Sequence, residues 1–539
     1  MTASASVLSV EGLTVALPSA ADRDFAVRDV SFALREGEIL CVVGESGSGK
    51  SVTANAVMGL LPDILRVKAG RAMFEGRDLL ALPEAERERL RGDRIAMIFQ
   101  EPMTALNPLM RVGDQIAEAF EAHGRLTPAE RRARAVALCE EVGLPEPASI
   151  VRAYPFQLSG GQRQRAMIAM ALALEPAILI ADEPTTALDV TTQAQILRLI
   201  AQLQKAHGTS VMFITHDFGV VAEIADRVIV MRHGEIVEAG DARDVLAAPR
   251  HPYTRALLDA IPRGVATEAR ATPEPLLSVR GLTKTYLTGG GLFRPKRRVE
   301  AVRGVSFDIA RGETLGLVGE SGSGKSTVGR MIVRLADPDA GEIRLEGTDL
   351  AGLEGAALKR ARARVQMVFQ DPYASLNPRA KVARALTTGP VAQGRPRAEA
   401  LERAGALMET VGLDRAALDR YPHEFSGGQR QRIGIARALA MDPALIVADE
   451  AVSALDVSIQ AQVLDLLRDL RARLGLSLLF ITHDLRVAAR LCDRVAVMSK
   501  GELVEIGPTA EVFLRPRHDY TRKLLAAAPG GGWAKEDAA

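Results

Sequence analysis

The two halves of this 539-residue chain repeat one another. The segment GESGSGKS occurs at residues 44–51 and again at residues 319–326, and LSGGQRQR at residues 158–165 returns as FSGGQRQR at residues 425–432. IFQEP, ADEPTTALDV and ITHD also return in the same order, as VFQDP, ADEAVSALDV and ITHD. A repeat of roughly 265 residues is far longer than a solenoid unit, so each copy is predicted to fold as a domain.

The domain boundary is predicted in a short segment between the two copies. Residues 262–276, PRGVATEARATPEPL, are polar and rich in Pro and Ala, and they have neither helical nor strand periodicity. We therefore assign residues 1–262 to a first module, residues 263–276 to a linker and residues 277–539 to a second module. Residues 289–298, GGGLFRPKRR, have no counterpart in the first module and are predicted to form a surface loop of the second.

Composition excludes several classes of protein. Hydrophobic residues at 47% and charged residues at 25% are typical of soluble globular proteins, and a net charge of +1 argues against a chain that mainly coats nucleic acid. Three scattered cysteines (Cys41, Cys139 and Cys492) are too few for a disulfide framework or a four-cysteine metal site. The N-terminus lacks the features of a secretory signal, and no apolar run is long enough to span a bilayer. The chain is predicted to be soluble or to lie on a membrane without crossing it.

Each module has a glycine-rich loop between a predicted strand and a predicted helix. Apolar runs at residues 39–43 and 314–318 precede the loops, and helical patterns follow from residue 50 to 61 and up to residue 335. Glycines let backbone N–H groups turn towards phosphate oxygens, the lysine neutralises them, and the last serine can bind Mg²⁺. A glycine-rich turn is the alternative, but two matches in register favour nucleoside triphosphate binding. The predicted binding residues are Gly44, Glu45, Ser46, Gly47, Ser48, Gly49, Lys50 and Ser51, with Gly319, Glu320, Ser321, Gly322, Ser323, Gly324, Lys325 and Ser326 in the second module.

An Asp-Glu pair follows a second apolar run in each module, at residues 177–181 and 444–448. Ligands of open α/β sheets bind at the carboxyl ends of buried parallel strands. Asp182 and Asp449 are therefore predicted to hold Mg²⁺, and Glu183 and Glu450 to polarise an attacking water. Taken alone, such a pair is more often a helix N-cap, but the upstream loop favours catalysis.

The order of these motifs resembles that of ATP-binding cassette (ABC) ATPases. The phosphate loop, a Gln after an apolar strand, SGGQ, DE, ALD and the His of THD occur in sequence over nearly the whole chain, and SGGQ is the most discriminating of them. The resemblance implies an ATPase with an α/β fold of two tandem P-loop NTPase domains. Each would have an α/β core, a helical subdomain and a small antiparallel β region.

The resemblance also implies roles for further residues. The modules would pair head to tail within the chain, with each ATP between the phosphate loop of one and the SGGQ of the other. Gln100 and Gln370 would sense Mg²⁺ and the attacking water, and His216 and His483 would contact the γ-phosphate. Asp189 and Asp456 would lie at the dimer seam. The SGGQ residues are Ser159, Gly160, Gly161 and Gln162, with Ser426, Gly427, Gly428 and Gln429 in the second module.

The two modules differ at two positions of this pattern. Family members stack an aromatic residue on adenine, and Tyr286 fits this role, whereas Leu17 is its counterpart in the first module and Phe25 is a possible substitute. The second module reads DEAVSALD where the first reads DEPTTALD, which we interpret as a difference in packing.

Two features resemble one branch of the family. QEPMTALNP and QDPYASLNP, at residues 100–108 and 370–378, are similar to ATPases of bacterial dipeptide, oligopeptide and nickel importers. HPYTRALLDAIP from His251 and HDYTRKLLAAAP from His518 resemble the C-terminal extension of that group. The local alternative, a helix start with Pro252 in the first turn and Leu257 and Leu258 inside, is compatible with it. Since neither extension is followed by a cluster of cysteines, no iron–sulfur cluster is expected.

The fused arrangement is similar to importers of peptides, glutathione or peptide-like compounds. It implies two inner-membrane permease subunits, docked at residues 102–112 and 372–382, and through them a periplasmic or extracellular substrate-binding protein. The chain would lie on the cytoplasmic face of the bacterial inner membrane.

The alternative is a soluble tandem-cassette ATPase that acts on the ribosome. Such proteins carry a long charged linker, whereas this linker is short and nearly balanced in charge. Nothing resembles an RNA-binding arm, so no nucleic-acid partner is expected.

Overall fold

The structure is a computed structural model that describes residues 6–19, 23–186, 188–261, 275–288, 297–453 and 455–528. The chain divides into two compact units, Met1–Asp259 and Ala260–Ala539. Of the linker that we assigned, residues 263–274 lie outside the described residues, and a strand already begins at Pro275. Residues 289–296 of the predicted surface loop also lie outside them. The last two residues of that loop prediction, Arg297 and Arg298, instead begin a strand, because they pair with the preceding strand at Thr288 and Leu287.

The first module alternates strands and helices. Over its described residues, the strands are β1 (Ser6–Ala16), β2 (Phe25–Arg35), β3 (Ile39–Val43), β4 (Arg66–Phe74), β5 (Arg77–Asp78), β6 (Ile95–Ile98), β7 (Ile178–Asp182), β8 (Ser210–Thr215), β9 (Arg227–Arg232) and β10 (Glu235–Asp241). The helices are α1 (Lys50–Met58), α2 (Glu84–Leu90), α3 (Pro102–Ala105), α4 (Val112–Ala122), α5 (Pro128–Glu141), α6 (Pro147–Ile150), α7 (Gly160–Ala171), α8 (Val190–His207), α9 (Phe218–Ile224), α10 (Ala242–Ala247) and α11 (Pro252–Ala260), with a 3₁₀ turn at Pro155–Gln157.

The second module repeats this order. Its strands, over the described residues, are β11 (Pro275–Thr288), β12 (Arg297–Ala310), β13 (Thr314–Val318), β14 (Ala340–Leu345), β15 (Thr348–Asp349), β16 (Val365–Val368), β17 (Leu445–Asp449), β18 (Ser477–Thr482), β19 (Arg494–Ser499) and β20 (Glu502–Pro508). The helices are α12 (Lys325–Ile332), α13 (Gly355–Arg364), α14 (Pro372–Ser375), α15 (Val382–Ala392), α16 (Arg397–Thr410), α17 (Gly427–Leu439), α18 (Val457–Leu474), α19 (Leu485–Leu491), α20 (Thr509–Leu514) and α21 (Asp519–Ala526), with 3₁₀ turns at Arg415–Asp419 and Pro422–Glu424.

Within the described part of each module, the strands form two sheets. In the first, a four-stranded antiparallel sheet has the order β2-β1-β4-β5, and a six-stranded sheet has the order β10-β9-β3-β8-β7-β6. The six-stranded sheet is parallel except for its edge strand β10. The second module has the same two sheets, with orders β12-β11-β14-β15 and β16-β17-β18-β13-β19-β20.

Burial follows from this arrangement. Every residue of β3, β7 and β8 is buried, as expected for central parallel strands, whereas β1 alternates between buried and more exposed positions. The hydrophobic core lies between the two sheets and around α1, and the second module builds the equivalent core around α12. In the sheet of the first module, Arg227 forms a nearly buried ion pair with Glu38, with 2.9 Å between Nη1 and Oε1.

Helices α4, α5 and α7 pack on one another as the helical subdomain of the first module, and α15, α16 and α17 do so in the second. The predicted fold class, an α/β core with a helical subdomain and a small antiparallel β region in each module, is confirmed. Among the described helices, none is both long and apolar enough to span a membrane.

Candidate nucleotide-binding sites

The glycine-rich loops connect the middle of each six-stranded sheet to the helix that follows. The loop of the first module lies between β3 and α1, and Gly44 has a φ of 153°. A Cβ atom at Gly44 would lie 2.2 Å from the carbonyl oxygen of Met231, and one at Gly319 would lie 2.2 Å from that of Met498. Both positions therefore require glycine, because the neighbouring strand runs directly against the loop.

The lysine at the end of each loop is held by the backbone of the loop itself. Lys50 is 5% exposed, and its Nζ donates hydrogen bonds to the carbonyl oxygens of Gly44 at 2.7 Å and Glu45 at 2.9 Å. Lys325 repeats both bonds in the second module at 2.8 Å. A fixed ammonium group thus lies beside the N-terminus of the helix, and both features attract phosphate.

A buried serine in the first loop fits the same ligand. Ser48 is 4% exposed, and its Oγ has no hydrogen-bond partner among the described residues. Buried hydroxyls in native proteins are nearly always paired. A phosphate oxygen in the loop would be an acceptor for this hydroxyl, so the residues present fit a nucleoside triphosphate.

The serine that follows each lysine meets the aspartate at the end of a central strand. Ser51 Oγ donates to Asp182 Oδ1 at 3.0 Å, and Ser326 Oγ donates to Asp449 Oδ1 at 2.8 Å. Burial raises the pKa of Asp182 and of Asp449, and the hydrogen bond from the serine offsets this only in part. Among the described residues, no group of three or more His, Cys, Asp and Glu side chains is arranged to hold a metal ion. A serine hydroxyl and one carboxylate fit Mg²⁺, which prefers oxygen ligands and keeps several waters.

The predicted catalytic glutamate is the centre of a side-chain cluster. Glu183 accepts a hydrogen bond from Gln100 Nε2 at 3.0 Å, and its Oε1 lies 3.3 Å from His216 Nδ1. In the second module, Gln370 Nε2 donates to Glu450 at 2.8 Å and His483 Nδ1 lies at 3.3 Å. The structure therefore brings together three residues that lie far apart in the sequence of each module.

Both glutamates have a strained backbone. Glu183 has a φ of 46° and Glu450 a φ of 48°, in the left-handed region that residues other than glycine rarely adopt. Their N–H groups donate to the carbonyl oxygens of Ile214 at 3.0 Å and Ile481 at 2.9 Å. Strain of this kind is concentrated at functional sites, where the surrounding structure holds it in place.

Electrostatics keep these glutamates ionised. Burial raises the pKa of Glu183, but the hydrogen bond and charge of His216 outweigh it and lower the pKa to about 2. Burial likewise lowers the pKa of His216, but the hydrogen bond and charge of Glu183 leave it raised. The pKa values of Glu450 and His483 shift in the same directions for the same reasons. At neutral pH each carboxylate is thus able to accept a hydrogen bond from water.

The difference between DEPTTALD and DEAVSALD extends beyond packing. Thr186 Oγ1 donates to the carboxylate of Glu183 at 3.0 Å. At the equivalent position, Ser453 Oγ donates to the backbone carbonyl oxygen of Glu450 at 2.9 Å. The two predicted catalytic carboxylates therefore have different hydroxyl neighbours.

The SGGQ segments open α7 and α17 through capping boxes. Ser159 Oγ accepts from the Gln162 N–H at 3.3 Å, and the Gln162 side chain accepts from the Ser159 N–H at 2.9 Å. Ser426 and Gln429 repeat this reciprocal pair at 3.4 Å and 3.0 Å. The side-chain oxygens of both glutamines thus fix the helix start, and the N–H groups of the following glycines lie at its positive end.

Glycine is required in these segments for packing. A Cβ at Gly161 would lie 2.6 Å from Thr192 Cγ2, and one at Gly428 would lie 2.3 Å from Ile459 Cγ2. Asp189 caps α8, because its side chain accepts a hydrogen bond from the Thr192 N–H at 2.9 Å. Asp456 lies at the equivalent position before α18. The SGGQ helix and the helix after the ALD segment are therefore packed directly together in each module.

The adenine-stacking positions differ as the sequence indicates. Tyr286 lies on β11 with 37% of its surface exposed, and Lys284 Nζ lies 5.7 Å from its ring centroid. Leu17 lies just beyond the end of β1 and is half-buried, and Phe25 pairs with Ala16 at the start of β2. An exposed aromatic ring is thus available at this position in the second module, and stacking on adenine stays a prediction.

Sequence reasoning missed two residues that contact the first loop. Arg23 Nη2 donates to the carbonyl oxygen of Gly47 at 2.5 Å. The hydroxyl of Tyr253, from the HPYT segment, contacts Glu45. The HPYT segment does start a helix, α11, with Leu257 and Leu258 buried as predicted. Neither contact has a local sequence signal, because each joins residues that are distant along the chain.

Comparison with known proteins agrees with this geometry. The family model described as "ABC transporter" matches residues 27–186 and 302–453, and the model described as "Oligopeptide/dipeptide transporter, C-terminal region" matches residues 237–297 and 504–536. The glutathione import ATP-binding protein GsiA of Salmonella choleraesuis is 49% identical, and that of Escherichia coli O157:H7 is 50% identical. Each alignment covers 97% of this chain and 89% of the relative.

These relatives are import proteins, so they favour the importer interpretation over the ribosome-associated alternative. Both modules also contain the glycine-rich loop with its buried lysine and the Gln–Glu–His cluster around an ionised carboxylate. The chain therefore belongs to the ABC transporter family, as the ATP-binding and ATP-hydrolysing subunit of an importer for peptides or peptide-like compounds.

Proposed function

We propose that both nucleotide sites of this subunit hydrolyse ATP, and that each combines the phosphate loop of one module with the SGGQ segment of the other. The observation that carries the proposal is that the Gln–Glu–His cluster is formed in both modules with nearly equal distances. ATP binding would draw the two modules together within the chain, and hydrolysis would release them. Family resemblance supports the pairing.

Each module contains residues for Mg²⁺ binding, for phosphate binding and for activation of the attacking water. Ser51, Asp182 and Gln100 would hold Mg²⁺ in the first module, and the ion would neutralise charge on the phosphate oxygens. Lys50 binds the phosphates, while Glu183 orients the attacking water and accepts its proton. His216 holds that carboxylate and contacts the γ-phosphate. The equivalent residues of the second module are Ser326, Asp449, Gln370, Lys325, Glu450 and His483.

We also propose that two permease subunits dock at residues 102–112 and 372–382, on the cytoplasmic face of the inner membrane. Large apolar side chains are exposed there: Met103 at 53% and Leu109 at 85% in the first module, and Tyr373 at 64% in the second. The docking proposal requires these side chains to form a contiguous apolar patch, which is typical of surfaces that bind a partner.

Sedimentation with vesicles tests the docking proposal. The chain should pellet with vesicles that contain the permeases and remain in solution with vesicles of lipid alone. Leu109→Asp together with Met103→Asp should weaken pelleting, while Mg·ATP binding by the free chain is retained. Pelleting with pure lipid, or full pelleting of the double variant, would contradict docking at this segment.

The cargo is proposed from the relatives, which are named for glutathione import. Glutathione is a peptide-like compound, so it fits the predicted cargo class. A substrate-binding protein outside the membrane would deliver it to the permeases. In the assembled transporter, glutathione-loaded binding protein should stimulate phosphate release, and an absence of stimulation would point to another peptide-like cargo.

A further inference from the structure

A tyrosine from the C-terminal extension of each module contacts the phosphate loop of the same module. Tyr253 is 7% exposed, and its hydroxyl donates to Glu45 Oε2 at 3.1 Å and accepts from the Glu45 N–H at 3.3 Å. In the second module, the hydroxyl of Tyr520 accepts from the Glu320 N–H at 3.2 Å. The contact joins residues 208 positions apart in one module and 200 in the other, and it occurs in both.

The start of the extension helix places this tyrosine. His251 Nδ1 accepts a hydrogen bond from the Tyr253 N–H at 3.1 Å, and the carboxylate of Glu238 on β10 accepts from the N–H groups of Arg250 at 2.7 Å and His251 at 3.1 Å. In addition, the guanidinium of Arg232 lies 4.7 Å from the Tyr253 ring centroid. His251 therefore holds the backbone of Tyr253 and Arg232 lies over its ring, and together they place the hydroxyl at the loop.

The second module repeats the same bonds. His518 Nδ1 accepts from the Tyr520 N–H at 3.1 Å, and Glu505 accepts from the N–H groups of Arg517 at 2.8 Å and His518 at 3.1 Å. The histidine and tyrosine shared by HPYT and HDYT thus have separate tasks. The histidine caps the helix, and the tyrosine contacts the loop.

Glu45, which contacts Tyr253, is also hydrogen-bonded to the loop lysine. The Glu45 carbonyl oxygen accepts from Lys50 Nζ at 2.9 Å, while the Glu45 N–H donates to Tyr253. The Glu320 carbonyl oxygen and N–H are used in the same way by Lys325 and Tyr520. One peptide segment therefore connects the extension to the ammonium group that meets the phosphates.

We propose that Tyr253 and Tyr520 are positioning residues for ATP binding, which hold the first turn of the phosphate loop and, through it, the lysine. The inference rests on the proposed role of these loops as phosphate sites. Pre-organising a loop lowers the cost of ordering it when the ligand binds. The alternative is that the tyrosine only packs the extension helix onto the module.

Tyr253→Phe distinguishes the two, because it keeps the ring and its packing and removes only the hydroxyl. The full chain carrying Lys325→Ala, in which ATP binding reports on the first loop, is titrated with Mg·ATP by calorimetry. Tyr253→Phe should weaken binding about five-fold, the effect of a typical hydrogen bond. The KM for phosphate release should rise by a similar factor with little change in kcat, which a packing role would not produce.

The chain contains its own matched control. In the Lys50→Ala chain, where binding reports on the second loop, Tyr253→Phe should have no effect and Tyr520→Phe should weaken binding about five-fold. Glu45→Ala in the Lys325→Ala chain tests the side-chain part of the contact, because it removes the carboxylate that accepts from the Tyr253 hydroxyl. The loss of ATP affinity in the double variant should be smaller than the sum of the losses in the two single variants, since both substitutions act on one contact.

Each outcome has a clear meaning. Unchanged ATP affinity in Tyr253→Phe, or fully additive effects of Glu45→Ala and Tyr253→Phe, would overturn the positioning role. Adding Lys50→Ala to the Lys325→Ala chain should remove the remaining binding. If it did not, the loop itself would be wrongly assigned, which is a failure of the proposed function and separate from that of the tyrosine.

Discussion

Replacement of Tyr286 by Leu, the residue at the equivalent position 17, should weaken ATP binding at the second loop. Tyr286 is 37% exposed. For a tyrosine with roughly 200 Å² of surface, that leaves about 75 Å² for contact, of which a stacked base covers about half. At about 25 cal/mol per Å², the stacking contributes about 1 kcal/mol, which corresponds to about a five-fold change in Kd.

The assay is a titration of the Lys50→Ala chain with Mg·ATP, with and without Tyr286→Leu. Binding of inorganic tripolyphosphate is the matched control, because it has no base and should be unaffected. Leu17→Tyr in the Lys325→Ala chain should strengthen ATP binding by a similar factor. With Leu17 in place, the first loop should bind ATP a few-fold more weakly than the second. Equal affinities of the two loops, together with no loss in Tyr286→Leu, would refute the stacking argument.

Three further predictions concern the fold and the sites. Glu38→Ala should lower the free energy of unfolding of the first module by about 3 kcal/mol, because it removes the buried carboxylate that pairs with the charge of Arg227. Urea unfolding measures this change, and a loss below about 1 kcal/mol would contradict the prediction. Gly324→Ala should abolish ATP binding at the second loop, since a Cβ there would lie 2.2 Å from the carbonyl oxygen of Ala301. Retained binding in a titration of the Lys50→Ala chain would show that the loop can relax. Chelation of Mg²⁺ should stop phosphate release without loss of the helical circular dichroism signal. Continued phosphate release would show that hydrolysis does not need Mg²⁺.

The fold and most of the site could be predicted because their signals are local. The apolar runs before each loop are the strands β3 and β13 with the predicted bounds. The helix expected to reach residue 61 ends at Met58, because Gly59 adopts a left-handed conformation that closes it. The strand expected at residues 177–181 runs from Ile178 to Asp182, so the aspartate itself ends the strand.

Other features could not be predicted because they depend on tertiary contacts. Tyr253 contacts Glu45 across 208 residues, and nothing near either residue in the sequence indicates the partner. The left-handed backbone of Glu183 is also hidden, since glutamate has no preference for that conformation. The hydrogen bond from the Thr186 hydroxyl to the Glu183 carboxylate depends on the rotamer of Thr186, and packing determines that rotamer.

The most direct test of two working sites is steady-state phosphate release by the assembled transporter with Glu183→Gln or Glu450→Gln. Each substitution removes the carboxylate that accepts a proton from water and keeps the hydrogen bond from Gln100 or Gln370 possible. We expect each single variant to lose most of its turnover while it still binds Mg·ATP, and the double variant to lose all of it. If either single variant kept the turnover of the unmodified transporter, its site would not hydrolyse ATP, and the claim of two working sites would be wrong.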